Sequence, residues 1–236
     1  MTLDETADLA LRQAQRAKDY TDILNVFSAH LYCYRAQKQS YEMEHYWAKQ
    51  RDDLVYANAH GRKNVMDFYC GHNAAMRVEK RKIASAYYPE ITDNDAFDGV
   101  GDMVAKASAS PYVIIAEDGM SAHGIWFVPG FCCELGKDGA IQANYFQEKN
   151  AVDLVKEDDG WKILRLDILV DFQTPCPHIR FSPEQYRFHY PAAALNAYST
   201  PYAATTVAHF CPPLPEPYET WDANRAFASV YEGGGQ

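Results

Sequence analysis

Long apolar runs are missing from this chain of 236 residues. No window approaches the roughly 18 to 20 consecutive apolar residues of a membrane helix. The opening MTLDETADLA is too acidic and too polar for a secretion signal. The expectation is a soluble cytoplasmic protein with no membrane partner. A basic excess is missing too: 22 Lys and Arg stand against 32 Asp and Glu, for a net charge of -10. Phosphate backbones are held by clustered cations, so a nucleic-acid partner is excluded. The one basic cluster, RVEKRK from Arg77 to Lys82, reads as the solvated end of a helix. The six cysteines are scattered, with one vicinal pair, Cys132 and Cys133, and no C-x-x-C. That spacing yields neither a zinc site nor a disulfide framework, and no metal is expected. No internal repeat is present.

What is present is ample material for a core, 47% hydrophobic residues, in an uneven order. Residues 4 to 90 carry helical periodicity, 100 to 173 short β-rich runs, and 176 to 236 hold eight of the twelve prolines. Helices first and an antiparallel sheet afterwards is the α+β pattern. Ile23, Phe27, Leu31 and Tyr34 recur on one face of a helix over about 19 to 37, with His30 beside them. A short helix over about 41 to 50 and a third over about 63 to 81 follow, the third with Val65, Phe68, Tyr69, His72 and Met76 on its apolar stripe. His30 and His72 are each either core histidines bonded to a backbone carbonyl or polar groups of a pocket.

Turns organise the β region. Asp118-Gly119 and Asp159-Gly160 each read as a two-residue hairpin turn. The first pairs Glu117 with Met120 and sets Lys106, Tyr112 and Ile114 on one face with His123, Ile125 and Phe127. Ala122, Gly124 and Trp126 fall on the other, and a bulge would exchange the sets. The second turn sets Arg165, Asp167 and Leu169 with Asn150, Val152 and Leu154, opposite the aliphatic row Leu164, Leu166, Ile168 and Val170. A strand with two buried faces usually has packing on one side and a cavity on the other. Arg165 and Asp167, two apart on one face, form either an internal ion pair or part of a cavity. Burying an ion pair seldom gains stability over apolar packing, which favours the cavity. Asp171 falls near the strand end, in solvent.

The run GDMVAKASASPYVIIAEDGMSAHGIWFVPG, followed by NAVDLVKEDDGWKILRLDILVDFQTP, resembles the SnoaL-like branch of the nuclear transport factor 2-like superfamily. Members share A-x-D-G-x-x-A-x-G-x-W-x-x-P-G and then V-D-x-V-x-E-D-x-x-W-K-I. YRAQKQSYEMEHYWAKQRDDLVY and HGRKNVMDFY match the family's helical entry, so the resemblance spans about residues 19 to 175. It implies an α+β fold in which a curved mixed sheet forms a cone closed by N-terminal helices. On that basis residues 1-175 are the α+β barrel domain. Residues 176-236 are an extended segment, rich in Pro and Tyr, that lies across its own barrel or a neighbouring subunit and caps the pocket mouth. A homo-oligomer, dimer or trimer, is expected.

Enzymes with this resemblance typically use no cofactor and work by proton transfer in a dry pocket. Residue by residue, it implies Tyr34 on the pocket wall and Lys106 where many relatives carry His. Arg165 and Asp167 stand where related sequences often carry histidines. Catalytic candidates are therefore Asp167, Arg165, Lys106 and Tyr34. His123, Trp126, Tyr112, His72 and Tyr145 are candidates to bind a small aromatic substrate, the ligand class suited to a chain that is 14% aromatic. The resemblance implies a cofactor-free lyase acting on a hydroxylated aromatic, such as a lignin-derived diarylpropane diol cleaved to a stilbene and formaldehyde. Alternatives are a dehydratase or isomerase of a polyketide, steroid-like or phenolic substrate, and a non-catalytic small subunit of a ring-hydroxylating dioxygenase.

Overall fold

The structure is a computed structural model that describes residues 2–89, 103–176 and 218–227. Among the described residues three α-helices are formed, α1 (Leu3–Arg35), α2 (Gln39–His45) and α3 (Arg62–Tyr87), with a short hairpin over residues 55–60 between α2 and α3. Thr2 starts α1 with a capping box, its side chain accepting from the Glu5 amide while Glu5 reaches back to the Thr2 amide. The helix begins well before residue 19, and its first turns escaped the sequence reading because they are exposed and their few leucines, Leu3, Leu9 and Leu11, do not mark an inward face. Among the described residues no helix is long and apolar enough to cross a membrane.

The seven described strands are β1 (Val55–Tyr56) and β2 (Ala59–His60), which make that hairpin, and, after α3, β3 (Met103–Lys106), β4 (Ala109–Ile115), β5 (Ser121–Leu135), β6 (Ile141–Glu157) and β7 (Gly160–Pro175). They form one mixed sheet in the order β2-β1-β7-β6-β5-β3, with β4 also pairing β5. Only the β1–β7 pairing between named strands is parallel. The sheet is not closed into a barrel: α1 and the other helices cover one side, which we call the helix side. Ile23, Phe27 and Leu31 of α1 pack there with Trp126, Leu154, Leu164 and Leu166. Asp19 fixes the helix to the sheet by accepting from Lys156 Nζ at 2.7 Å and Trp161 Nε1 at 3.0 Å.

Two register shifts correct the sequence reading. The turn between β6 and β7 falls on Asp158 and Asp159, with Glu157 opposite Gly160, not on Asp159-Gly160. A one-residue irregularity at Leu164 then exchanges the faces of β7. Arg165 therefore stands opposite Asp153, Asp167 opposite Ala151 and Leu169 opposite Lys149, in place of Leu154, Val152 and Asn150. Leu164, Leu166 and Ile168 turn to the helix side, while Arg165, Asp167 and Leu169 turn away from it. The second shift separates β3 from β4. Ser110 takes a positive φ of 47° and the ladder slips between Ala109 and Tyr112. Tyr112 and Ile114 keep the expected partners Ile125 and His123, but Lys106, opposite Gly130, moves to the helix side.

Candidate functional site

A cavity of about 130 Å³ opens between α1, α3 and the far half of the sheet. Its walls include Tyr34, Tyr56, Phe68, Tyr69, His72, Phe146 and Ile168, and its lining also takes in Arg77, Lys80, Glu134 and Gln173. Gly130 makes room for one wall: a Cβ there would sit 2.0 Å from the Phe146 ring and 2.8 Å from the Ala105 carbonyl oxygen.

Lys106 and Glu148 form a buried ion pair against this aromatic shell, and a second pair on the same lining, Lys80 with Glu134 at 3.5 Å, is less deeply buried. Lys106 Nζ donates to both oxygens of Glu148, at 2.8 and 3.1 Å, with Glu148 fully buried and the Lys106 side chain 7% exposed. The ammonium also lies 4.6 Å from the Tyr34 ring centroid and 5.4 Å from that of Phe146, which places it against two π faces. Burial pulls the Lys106 pKa down, but the Glu148 carboxylate overrides it and holds the ammonium above its ordinary value. Burial pushes the Tyr34 phenol up against the opposing pull of Lys106. Burial raises Tyr56 and Tyr69 well above the usual phenol range, and raises the Cys132 thiol to about 11. The cavity phenols and this thiol are therefore protonated donors at neutral pH, Lys106 is the ammonium of the inner wall, and Glu148 lies directly behind it, outside the lining.

Behind the cavity lies a second polar cluster. Tyr69 donates to Glu42 Oε2 at 2.7 Å, Trp47 Nε1 donates to Oε1 at 2.7 Å, and His30 Nδ1 lies 2.7 Å from Oε1. His30 is thus a core histidine as one reading held, but its partner is the Glu42 carboxylate and not a backbone carbonyl.

The remaining candidates separate. Tyr34, Lys106 and His72 line the cavity, His72 stacked at 5.8 Å on Phe68. Trp126 is on the helix side but fully buried, stacked at 4.1 Å on Phe27. Tyr112 and Tyr145 are 40% and 46% exposed, and neither lines the cavity. Arg165, Asp167 and His123 face the other side of the sheet, so placing Arg165 and Asp167 in the cavity is overturned by the bulge at Leu164. Arg165 Nη2 approaches Asp53 at 3.6 Å, and its guanidinium lies 5.3 Å from the Trp221 ring. His123 bonds Asp153 at 2.8 Å and stacks on Tyr218 at 4.1 Å. The described part of the C-terminal segment, residues 218–227, thus covers the sheet face opposite the cavity and does not cap its mouth. Most of 176-236 lies outside the described residues.

The sequence reading missed Glu148, Glu42, Tyr56 and Phe146. Gln147, Glu148, Lys149 and Asn150 are four polar residues in succession, so no alternation marks which of them points inward. Arg77 and Lys80, read as part of a solvated helix end, line the cavity instead. No group of His, Cys, Asp or Glu among the described residues is arranged to hold a metal ion.

No family model and no curated protein matches the chain. Several solved structures have a similar chain trace. One, from Novosphingobium aromaticivorans, is described as a candidate scytalone dehydratase: identity is 11%, the TM-score is 0.49, and the match covers 71% of this chain and 93% of that one. A hexachlorocyclohexane dehydrochlorinase, LinA-type3 from Novosphingobium barchaimii, is 13% identical with a TM-score of 0.47, over 72% of this chain and 99% of that one. A protein from Novosphingobium aromaticivorans described as NTF2-like with a cystatin-like fold is 14% identical with a TM-score of 0.47, over 72% of this chain and 92% of that one. At this level of likeness the chemistry has to be read from this chain's own residues.

Proposed function

We propose that the chain is a cofactor-free lyase that acts on a hydroxylated aromatic compound by general acid and base catalysis in the Tyr34–Lys106–Glu148 cavity. The observation that carries this reading is the buried Lys106–Glu148 pair, set against aromatic faces at the wall of a cavity. An ion pair rarely gains stability over apolar packing, whereas a dry cavity strengthens a charged acid and base. Perturbed, buried and mutually bonded ionisable groups beside a pocket are the usual mark of such a site.

A lignin-derived diarylpropane diol bound as its phenolate fits these residues. Lys106 gives a proton to the benzylic hydroxyl, which leaves as water while the phenolate electrons form a quinone methide. Glu148 takes the proton of the terminal hydroxyl. The carbon–carbon bond then breaks, releasing formaldehyde and returning its electron pair to the ring as the stilbene double bond forms. The proton on Glu148 passes back to Lys106 along their 2.8 Å contact, so the pair is reset without a cofactor. Tyr34, protonated, donates to the oxygen held beside Lys106, and Arg77 and Lys80, set against the one carboxylate Glu134 that lies 3.5 Å from Lys80, leave a net positive lining that favours an anionic phenolate.

The cavity size favours a second reading. A volume of about 130 Å³ is close to the roughly 150 Å³ cavity that admits one benzene ring. A dehydratase or isomerase of a single-ring phenol would use the same pair for water loss without carbon loss. Purified protein given a diarylpropane diol is expected to release formaldehyde and develop stilbene absorbance, and Glu148→Gln is expected to stop both. Water loss alone, seen in the product mass, selects the second reading. No turnover of either substrate class by the isolated chain removes both.

A further inference from the structure

Two polar groups on the helix side of the sheet have no hydrogen-bond partner among the described residues. Asn150 is fully buried, and neither its carboxamide oxygen nor its nitrogen meets a partner among the described residues. Trp126 is fully buried as well, and its indole N–H is unpaired in the same way. The two are cross-strand neighbours, Trp126 on β5 opposite Asn150 on β6. Asn150 also stands opposite Ile168, which lines the cavity. Strand alternation points its side chain to the same side as Glu148, two residues earlier.

Each buried donor or acceptor left unmade costs roughly 1–3 kcal/mol, and an amide has four bonding positions to fill. A leucine at 150 would fill the space without that cost. The arrangement has the character of a site whose partner arrives with the substrate.

We propose that Trp126 and Asn150, which stand behind the lining residue Ile168 and outside the lining itself, form an oxygen-binding subsite just beyond the inner end of the cavity, which takes a hydroxyl or carbonyl oxygen borne by the aromatic substrate. The indole N–H donates to that oxygen, and the Asn150 carboxamide accepts from a hydroxyl hydrogen or donates to a carbonyl. Two residues along a strand span about 7 Å, roughly a ring and one substituent. A substrate with its reacting carbon at Lys106–Glu148 therefore presents its second oxygen to Asn150. The pair sets which oxygenated aromatics are accepted and in which orientation. This rests on the cavity being the substrate site, as proposed above.

The test is calorimetric binding of 4-hydroxybenzyl alcohol and of 4-methylphenol, which lacks the second oxygen. The wild type is expected to prefer the alcohol by about tenfold, the scale of one or two well-made hydrogen bonds in a dry site. Asn150→Leu and Trp126→Phe are each expected to bring the preference towards one while the 4-methylphenol affinity holds, and Asn150→Leu, which removes the unpaired polar atoms, is expected to raise the melting temperature. Trp126→Phe keeps a ring against Phe27, so it stands as the test if Asn150→Leu fails to fold. Equal binding of both compounds by the wild type, or a preference retained in both variants, overturns the subsite and leaves the cavity reading standing. Binding of neither compound overturns the cavity reading and the subsite with it.

Discussion

On the helix side of the sheet, Lys106 and Glu148 face each other inside an aromatic shell that opens to a cavity. On the outer side, Arg165, His123 and Asp153 are also withdrawn from water, with the part-exposed Asp53 beside Arg165, but Tyr218, Trp221 and Phe227 of the same chain lie over them. Trp221 has guanidiniums on it from both Arg51 and Arg165, each 5.3 Å from its ring. The two faces use similar residue types for different ends. Outside, the ionisable groups hold the described C-terminal residues onto the sheet. Inside, such groups are left beside an open space. Ionisable residues on a buried strand thus mark a site only when the space next to them is not already filled by the protein itself.

The sharpest way to break this comparison is to remove one partner of the inner pair. Lys106→Met leaves the Glu148 carboxylate buried without its cation, and such a loss costs about 3–5 kcal/mol. Urea denaturation should show that drop, with turnover abolished. The double variant Lys106→Met/Glu148→Leu removes both charges and should regain most of the stability while remaining inactive. Recovery of activity along with stability would make the pair structural only, like its counterparts outside.

The outer side gives a smaller effect of the opposite kind. Trp221 is half-buried, so Trp221→Ala should lose less than the full core value, about 1–3 kcal/mol from apolar contact and the two cation–π contacts. The measurement is the melting temperature alongside kcat/KM, with the first lowered and the second unchanged. A matching fall in kcat/KM that persists below the melting transition would tie the outer face to catalysis and dissolve the distinction between the two.

How far the sequence could see this distinction follows from single residues. Helices before sheet, the inward faces of α1 and α3, and the pairing around Asp118-Gly119 were legible because apolar period and turn chemistry agree there. The failures that put sheet residues on the wrong face were one-residue events. The extra residue at Leu164 leaves every side chain of β7 chemically unchanged yet moves Arg165 and Asp167 to the other side of the sheet. The slip at Ser110 does the reverse for Lys106 and brings it into the cavity. Period-two patterns carry no memory across a bulge, so sequence could name the charged residues of the sheet but not sort them by face. Glu148 was hidden for a related reason, being one of four consecutive polar residues.

The smallest expected effect separates the faces by pH. Lys106 has its pKa raised in the folded state: burial lowers it, but the Glu148 carboxylate outweighs burial. Its contribution to stability is therefore complete below the unfolded lysine value of about 10.4 and disappears as pH rises through the folded pKa. Asp53 is the converse. Burial raises its pKa, but hydrogen bonds and charge from Arg51, with help from Arg165, leave it below the ordinary value. Its contribution is present above the unfolded aspartate value of about 3.9 and disappears as pH falls through the folded pKa. Urea midpoints measured from acid to alkaline pH should thus lose inner-face stability on the alkaline limb and outer-face stability on the acid limb. Asp53→Asn should flatten only the acid limb, and Lys106→Met/Glu148→Leu should flatten the alkaline limb. An acid limb unchanged in Asp53→Asn would show that the guanidiniums hold Trp221 without that carboxylate. The outer roof would then rest on stacking alone, which makes the contrast with the charge-paired inner wall sharper still.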